Sequence, residues 1–429
     1  MLLLLVMLFA VLIPCTSQYG NKIWTRFSGN PDSNGGGNGV AVDSSGNIYV
    51  TGFINAGLDG QSNSGDIEST TDIVLMKYST TGTKLWTRLT GTASNDVGNG
   101  IAIDSSGNIY VTGYVSDILD FQPFAGGSDI VLIKYDSSGN KMWTRLAGST
   151  GYDYGNAVAV DSTGNIFVTG YVSNALDGQI FRGSYDIVLM KYNTTGHRQW
   201  TRLRGTNGID LGYGVATDTI GNVFVTGHVS ASLDGQAFTG GLFDIVVIKY
   251  NTTGHRLWTK LTGTADDDYS LGLAVDTSGF IYLVGTISVS NKDAIDGINA
   301  IGDNEIVLMK YNSTTGTKVW TRLAGSSGND HGLGVTVDSS KNVLVSGFVN
   351  AAVDSQAYGG GLFDMVVVKY NSSGHKIWTR LAGSASTDWG FAVTTDASGN
   401  VFVTGSVSGD FDNQKKAGRT DLVLIKYSG

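Results

Sequence analysis

The chain is nearly free of cysteine and proline and is poor in charged side chains. Its 429 residues include 1 Cys and 3 Pro, and Asp, Glu, Lys and Arg together make up 15%. Because Cys15 is the only cysteine, an intrachain disulfide framework is excluded. Glu occurs only at Glu68 and Glu305, so the acidity rests on Asp, the carboxylate that forms turns. The apolar residues show no sustained helical period, so the sequence predicts no long helix.

Positive charge is also in deficit, since the formal net charge is −9. This balance argues against a nucleic-acid partner or an anionic membrane surface. The apolar run Met1–Ile13 is too short to span a bilayer, and Pro14 and small residues follow it. We therefore expect a signal peptide over residues 1–17, a single domain over residues 18–429, no transmembrane span, and a secreted, extracellular or cell-surface location. In an alternative interpretation Cys15 is a lipidation site, although a proline directly before it matches a bacterial lipobox poorly.

Glycine and short apolar runs dominate what is present. The 61 Gly are about twice the usual share of roughly 7%. Apolar runs bounded by Gly, Asn, Asp, Ser and Thr are typical of many short strands joined by tight turns. One unit contains four such runs, at Asn156–Asp161, Asn165–Val172, Asp186–Tyr192 and Arg198–Leu203. Four antiparallel strands make up one blade of a β-propeller.

The unit repeats along the chain with a period of about 60 residues, which is typical of propellers, solenoids and arrays. The motif Trp-Thr-Arg or Trp-Thr-Lys marks it at Trp24, Trp86, Trp143, Trp200, Trp258, Trp320 and Trp378. A lone blade cannot bury both faces of its sheet, and closure into a ring hides the sheet edges. An isolated fourth strand at Asn21–Phe27 and a final third strand at Asp421–Tyr427 complement each other. The sequence therefore predicts an all-β, seven-bladed propeller in which the N-terminal strand and three C-terminal strands share one blade.

The block Ala41–Gly52, which reads AVDSSGNIYVTG, resembles the SBBP (seven-bladed β-propeller) repeat. The resemblance extends over essentially the whole chain after the predicted signal peptide. Some copies depart from it, with Gly279-Phe280 in place of Gly-Asn, Lys341 in place of a turn Gly, and Glu305 in place of a strand-opening Asp. We interpret these departures as drift that leaves the fold intact. The resemblance implies an extracellular or cell-surface propeller, usually without a defined activity.

Two faces of the ring are predicted to differ in the variability of their loops. If Ala-Val-Asp is the innermost strand, as in similar propellers, the short Asp-Ser-Ser-Gly-Asn and Asn-Thr-Thr-Gly turns lie on one face, here called the turn face. The opposite loop face carries the connections between blades and longer loops such as Ser173–Tyr185 and Ser288–Asn304. Variable loops on a rigid scaffold are favoured binding sites, so we expect binding on the loop face.

Two Asp series fall on the loop face. The first occupies the connections between blades, where blade one has Asn34-Gly35 instead, and consists of Asp96, Asp153, Asp210, Asp268, Asp330 and Asp388. The second is an Asp-x-Gln motif, which Asp296 lacks because Ile298 follows it, at Asp59/Gln61, Asp120/Gln122, Asp177/Gln179, Asp234/Gln236, Asp354/Gln356 and Asp412/Gln414. These carboxylates either form a ring near the central channel that holds a cation such as Ca²⁺, or close the same turn in every blade. We favour the turn interpretation, because a binding site usually uses one or two blades. The acidic cluster Asp266, Asp267 and Asp268 is a metal candidate without the spacing of a Ca²⁺ loop.

The repeated Trp and Arg are predicted to pack on the outer rim, with cation–π pairs across blades. Their recurrence in every unit of an acidic protein favours packing over nucleic-acid binding. Trp389 is the one Trp outside this series and is a candidate for stacking on a sugar. The Asn-x-Ser/Thr sequons on the turn face are candidate glycosylation sites, at Asn193, Asn251, Asn312 and Asn371.

Catalytic motifs are missing from the sequence, and we predict no catalytic residues and no cofactor. His331 beside Asp330 is the nearest approach to an acid–base pair. The favoured hypothesis is a monomeric binding or adhesion module for a protein or glycan partner. One alternative is a glycosidase or lyase that uses carboxylates of the loop face. Another is a structural envelope protein without a soluble ligand.

Overall fold

A computed structural model describes residues 20–65, 70–289 and 294–429. These ranges contain strands and turns but no helix, and hence no helix long and apolar enough to cross a membrane. Seven four-stranded antiparallel sheets form the blades of the predicted seven-bladed β-propeller. The predicted signal peptide over residues 1–17, with Cys15, lies outside the described residues.

Each blade runs from an inner strand at the central channel to an outer strand at the rim. The inner strands are β2 (Gly35–Val42), β6 (Val97–Ile103), β10 (Tyr154–Val160), β14 (Leu211–Thr217), β18 (Asp268–Val275), β24 (His331–Val337) and β28 (Asp388–Thr395). The second strands are β3 (Ile48–Ile54), β7 (Ile109–Val115), β11 (Ile166–Val172), β15 (Val223–Val229), β19 (Phe280–Ser288), β25 (Val343–Val349) and β29 (Val401–Val407).

The third strands carry the Lys-Tyr motif, and the outer strands carry Trp-Thr-Arg. The third strands are β4 (Asp72–Tyr78), β8 (Asp129–Tyr135), β12 (Asp186–Tyr192), β16 (Asp244–Tyr250), β22 (Asn304–Asn312), β26 (Asp364–Tyr370) and β30 (Asp421–Tyr427). The outer strands are β1 (Lys22–Ser28), β5 (Lys84–Thr90), β9 (Lys141–Ala147), β13 (Arg198–Arg204), β17 (Arg256–Thr262), β23 (Lys318–Ala324) and β27 (Lys376–Ala382). A small hairpin, β20 (Ala294–Ile295) and β21 (Ile298–Asn299), lies in the loop between β19 and β22.

The seventh blade joins the two ends of the ring. Its strand order is β1-β30-β29-β28, and β1 pairs antiparallel with β30 so that Thr25 lies opposite Ile425. The predicted strands at Asn21–Phe27 and Asp421–Tyr427 match β1 to within one residue and β30 at both ends. Closure by the N-terminal strand is therefore confirmed.

The hydrophobic core is divided into seven clusters, each shared by two neighbouring blades. In one cluster, Tyr110 and Ile130 of the second blade pack against Val158 and Val188 of the third. The strands between the edges are buried on both faces, as in β12, where Asp186–Met190 are all buried. A blade can therefore bury its apolar surface only against its neighbours, which is the physical reason for the ring.

The repeated Trp and Arg connect each outer strand to the next blade. The Arg145 guanidinium stacks 5.3 Å from the ring centroid of Trp143 on its own strand, so the predicted cation–π pairing across blades is wrong. The next blade is reached by a hydrogen bond instead, in which Arg145 Nε donates to the Gly196 carbonyl at 2.9 Å. Equivalent arginines make the same bond, at Arg26, Arg88, Arg202, Arg322 and Arg380.

The lysine of the Lys-Tyr motif contacts the same turn of the next blade. For example, Lys77 Nζ donates to the Ser137 carbonyl at 3.0 Å. Lys369 has no such turn to meet, because the corresponding connection in the seventh blade is replaced by the two chain segments that meet there. It pairs instead with Asp338 at 3.2 Å, and both side chains are buried. The charge of Lys369 is therefore balanced within its own blade.

We predict that Arg145→Met lowers the free energy of unfolding by about 1–2 kcal/mol, because it removes charge-assisted hydrogen bonds to a neighbouring blade. The urea midpoint followed by circular dichroism measures the change. Arg145→Lys is the matched control, since the fourth blade carries Lys260 at this position, and it should lose less stability. A methionine variant with the wild-type midpoint would contradict this role of the arginine.

Candidate functional site

The first Asp series is completely buried beneath the loop face. Asp153 accepts hydrogen bonds from the Ser149 amide, from Ser149 Oγ at 3.0 Å and from the Ser173 amide at 3.0 Å. The other members are equally buried and bind the amide of the Ser or Thr four residues earlier, at Asp96, Asp210, Asp268, Asp330 and Asp388. These are the contacts of turn-forming carboxylates, and they leave no carboxylate oxygen facing solvent.

Each of these aspartates also faces a second buried acid, the residue at or next to the start of the third strand. Asp96 Oδ2 and Asp72 Oδ1 converge on Gly91, where an added Cβ would lie within 2.8 Å of both oxygens. Asp72 Oδ1 has no hydrogen-bond partner in the described structure. The same pair occurs in six blades, as Asp72/Asp96, Asp129/Asp153, Asp186/Asp210, Asp244/Asp268, Glu305/Asp330 and Asp364/Asp388. Glu305, a departure from the repeat, fills the acidic position of its blade.

Burial raises the pKa of these acids, and the neighbouring carboxylate adds to the effect. Burial raises the pKa of Asp186 to about 7, and the negative charge of Asp210 adds to this rise. A hydrogen bond from the Arg182 amide acts in the opposite direction. Burial and then Asp244 raise the pKa of Asp268 to about 7, although bonds from Thr264 oppose them. Two carboxylates this close favour sharing one proton over carrying two charges. A pair that holds one proton carries a single negative charge, and the neighbouring amide and hydroxyl groups donate to it, as Ser149 does to Asp153.

The second Asp series lies at the outer rim, so the alternative of a carboxylate ring near the central channel does not hold for it. Asp120 accepts a hydrogen bond of 2.5 Å from Thr144 of Trp-Thr-Arg and pairs with Lys141 at 2.6 Å, both on the outer strand. Its φ of 50° marks a left-handed turn residue. All seven blades repeat the turn, including the one with Asp296, at Asp59, Asp177, Asp234, Asp296, Asp354 and Asp412.

The acidic cluster at Asp266, Asp267 and Asp268 does not form an oxygen cage. Asp268 belongs to a buried acid pair, and Asp267 accepts hydrogen bonds from the Leu242 amide and the Tyr269 hydroxyl. Within the described ranges, no group of three or more His, Cys, Asp or Glu side chains could hold a metal ion.

His331 and Trp389 lie at the loop-face ends of the inner strands β24 and β28, and His331 is not paired with Asp330. His331 Nδ1 lies 3.2 Å from Thr286 Oγ1, and its ring packs 4.8 Å from Phe348. Trp389 is 38% exposed and contacts Phe348 and Phe391 through ring centroids 6.0 and 5.8 Å apart. His331 is therefore a packing partner in an aromatic cluster, and the nearest approach to an acid–base pair in the sequence is not a pair in the structure.

A ring of seven bulged residues lines the central channel, and sequence reasoning missed it. Each inner strand has a register shift that leaves one residue unpaired, such as Tyr213 between Gly212 and Gly214. The unpaired residues line a cavity of about 360 Å³ and are Asn38, Asn99, Asn156, Tyr213, Leu271, Leu333 and Phe391. Aligning the repeats by column would have shown that this position is not constant.

Phe121 is a second residue that the sequence analysis passed over. It occupies the middle position of an Asp-x-Gln turn, is 99% exposed and has a φ of 58°. The other blades have small or flexible residues there, namely Gly60, Gly178, Gly235, Gly297, Ser355 and Asn413. A left-handed backbone is costly for an aromatic residue, so Phe121 is not explained by the turn itself.

The four sequons lie on the turn face, opposite the channel mouth. Asn193 Oδ1 accepts hydrogen bonds from the amides of Thr195 and His197 and so closes its turn. The corresponding oxygens of the other sequons do the same, at Asn251, Asn312 and Asn371. The amide side chains are partly exposed, which leaves the glycosylation predictions open to test.

Fold and geometry together define a seven-bladed β-propeller built from one repeat. The SBBP model, described as a β-propeller repeat, matches residues 23–59, 85–114, 143–174, 257–291 and 377–412. The chain carries SBBP repeats, and the resemblance read from the sequence is confirmed.

Two curated proteins resemble the chain at low sequence identity. The chain is 23% identical over 80% of its length to an uncharacterized WD repeat-containing protein, L264, of Acanthamoeba polyphaga mimivirus, and 26% identical over 74% to regulatory protein FlaEY of Caulobacter vibrioides. These matches span 33% and 37% of the two relatives. A chain in the crystal structure of the mitotic checkpoint complex matches all of this chain and 98% of its own length, at 12% identity and a TM-score of 0.53. This last likeness shows the fold alone.

We predict that the protein is more stable at about pH 5 than at about pH 8. A raised pKa means that the folded protein holds the proton more tightly than the unfolded chain, whose Asp titrates near 3.8. This stabilisation is complete below the unfolded pKa and is lost as the pH rises through about 6 to 7, the pKa range of Asp96, Asp129, Asp186, Asp268 and Asp364. Melting temperatures across this range measure it.

Asp186→Asn isolates one acid pair, because an amide can donate to Asp210 as the shared proton would. At about pH 5 the variant should melt at the same temperature as the wild type. Between about pH 5 and about pH 8 its melting temperature should fall less than that of the wild type. Asp421→Asn is the control, since Gly35 stands where the partner acid would be. An unchanged pH profile for Asp186→Asn would contradict proton sharing.

Proposed function

We propose that this protein is a secreted or cell-surface binding module that holds a protein partner on the loop face of its second and third blades. The proposal rests on one observation, the fully exposed Phe121 in a left-handed turn. The apolar segment Met1–Ile13 motivates the location.

Phe121 has the properties of an anchor for a partner. Its side chain buries almost no surface in the folded chain, since it is 99% exposed, and the equivalent residues of the other blades are smaller. Backbone strain that the fold does not require is concentrated at functional positions. Large aromatic side chains supply much of the binding free energy in protein–protein interfaces.

Further apolar side chains stand on the same part of the loop face. Ile118, 60% exposed, shares the loop of Phe121. Tyr152, 54% exposed, lies in the connection from the second to the third blade, and Ile180, 72% exposed, lies in the corresponding loop of the third blade. Exposed apolar side chains also occur in the corresponding loops of the fourth, fifth and sixth blades, at Leu242, Ile301 and Leu362. The loop face as a whole therefore presents apolar groups that favour a protein partner.

A binding role is also favoured over hydrolysis by the state of the carboxylates. The first Asp series is buried and bonded to backbone amides, and the second is bonded to the outer strand, as Asp120 is to Thr144. A glycosidase needs two opposed carboxyl groups that reach its substrate. A binding or regulatory scaffold also agrees with the names of the two relatives, a WD repeat-containing protein and a regulatory protein.

We predict that Phe121→Ser abolishes partner binding and leaves the fold intact, because the sixth blade already has Ser355 at this position. The purified chain is immobilised and exposed to extracellular protein from its source, and retained proteins are identified by mass spectrometry. The expected result is a protein retained by the wild type and lost with Phe121→Ser. Its affinity for both variants is then measured by calorimetry.

Ile220→Ser is the matched control, since Ile220 is 76% exposed on the turn face of the fourth blade. It should retain the same protein as the wild type. Equal retention by the wild type and Phe121→Ser, or equal loss in both variants, would contradict a loop-face site anchored by Phe121.

A further inference from the structure

The ring of bulged residues in the channel breaks the sevenfold repeat into two arcs. The first three blades supply Asn38, Asn99 and Asn156, and the next four supply Tyr213, Leu271, Leu333 and Phe391. The residues that follow in each inner strand are small or aliphatic in all blades, such as Gly214 and Val215. The two arcs of the channel lining therefore differ in polarity only at the bulged position of each inner strand.

The polar arc is held in place by hydrogen bonds from blade to blade. Asn38 Nδ2 donates to the Gly98 carbonyl at 3.1 Å, and Asn156 Nδ2 donates to the Gly212 carbonyl at 2.8 Å. Asn99 bridges its neighbours, because it accepts from Asn38 and donates to the Gly155 carbonyl. Each Nδ2 carries two hydrogens, and no hydrogen bond to Asn38 Oδ1 or Asn156 Oδ1 occurs within the described chain. The arc therefore offers oriented donors and acceptors at the channel.

The apolar arc continues upward to the loop face through stacked rings. Phe391 contacts Trp389 edge to face, with centroids 5.8 Å apart, and Trp389 is 38% exposed near the loop-face end of β28. On the other side of the arc, Tyr213 stacks on His228 with centroids 5.4 Å apart. Within the ring, Tyr213 and Phe391 supply the aromatic part of the channel lining.

The channel selects for an uncharged ligand of modest size. Its lining contains Asn, Gly, Ala, aliphatic and aromatic residues, and none of the described residues that line it is acidic or basic. A charged group placed there would lose its hydration without gaining a counter-charge. The cavity of about 360 Å³ is in the range of small-molecule sites, and the seven bulged residues are all partly exposed.

We propose that the channel ring binds a neutral sugar residue. A pyranose presents C–H groups on one face, suited to the rings of Phe391 and Tyr213. The hydroxyl groups at its edge suit the unbonded Oδ1 atoms of Asn38 and Asn156 and the second Nδ2 hydrogen of Asn156. The two arcs supply these contacts on opposite sides of one channel. This site is separate from the loop patch at Phe121 and does not depend on the protein-binding proposal.

The test compares the full chain with two swaps that place a residue of one arc into the other. Phe391→Asn introduces the residue found in the first three blades, and Asn156→Leu introduces one found in the fifth and sixth. Methyl glycosides of glucose, galactose, mannose, fucose and N-acetylglucosamine are titrated by calorimetry and by tryptophan fluorescence. An array of neutral and sialylated glycans separates recognition of a free sugar from recognition of a glycan end.

Binding of at least one neutral saccharide is expected, with about tenfold weaker affinity in each swap and no binding of sialylated ends. Phe121→Ser should bind the same saccharide as the wild type. Leu333→Asn serves as a second apolar-arc variant if Phe391→Asn melts below the wild type. The proposal is overturned if the wild type binds no neutral saccharide in either format, or if a bound saccharide is unaffected by the channel swaps.

Discussion

Two-sided burial of each sheet is the constraint on which the whole molecule depends. A blade such as the third has apolar residues on both faces of its central strands, and those faces are covered only by the second and fourth blades. An open stack would leave two apolar faces in water, so the seven units close into a ring. The strand β1 completes that ring by pairing with β30.

The repeated polar residues form hydrogen bonds with backbone groups that closure of the ring buries. Connections between blades turn sharply beneath the loop face, and their amides need acceptors that fit in a buried space, which Asp153 and its equivalents provide. A second carboxylate lies against each of these aspartates, and a shared proton leaves one buried charge in each pair in place of two. Arg145 and Lys77 contact turns of the following blade and hold neighbouring sheets in register.

The fold could be predicted because its signals repeat: Trp-Thr-Arg, Lys-Tyr and the Ala-Val-Asp strand recur in phase, and the ends of the chain complement each other. The turn role favoured for the Asp series agrees with the contacts of Asp153 and Asp120. The second acid of each pair, such as Asp72, could not be predicted, because only the fold brings it to Asp96. Stacking of Arg145 was misassigned because alternation along a strand does not distinguish a partner on the same strand from one on the next blade. Phe121 and the channel ring were missed because they are exceptions to the repeat.

Positions that repeat build the ring, and we propose that exposed positions that break the repeat, such as Phe121, bind partners. A mutational scan that measures resistance of each variant to proteolysis tests this division most directly. The account predicts that substitutions of Asp153, Trp143 and their equivalents reduce resistance, whereas substitutions of Phe121, Trp389 and Leu271 leave it at the wild-type level. Loss of resistance at the exceptional positions as large as at the repeated ones would contradict the account.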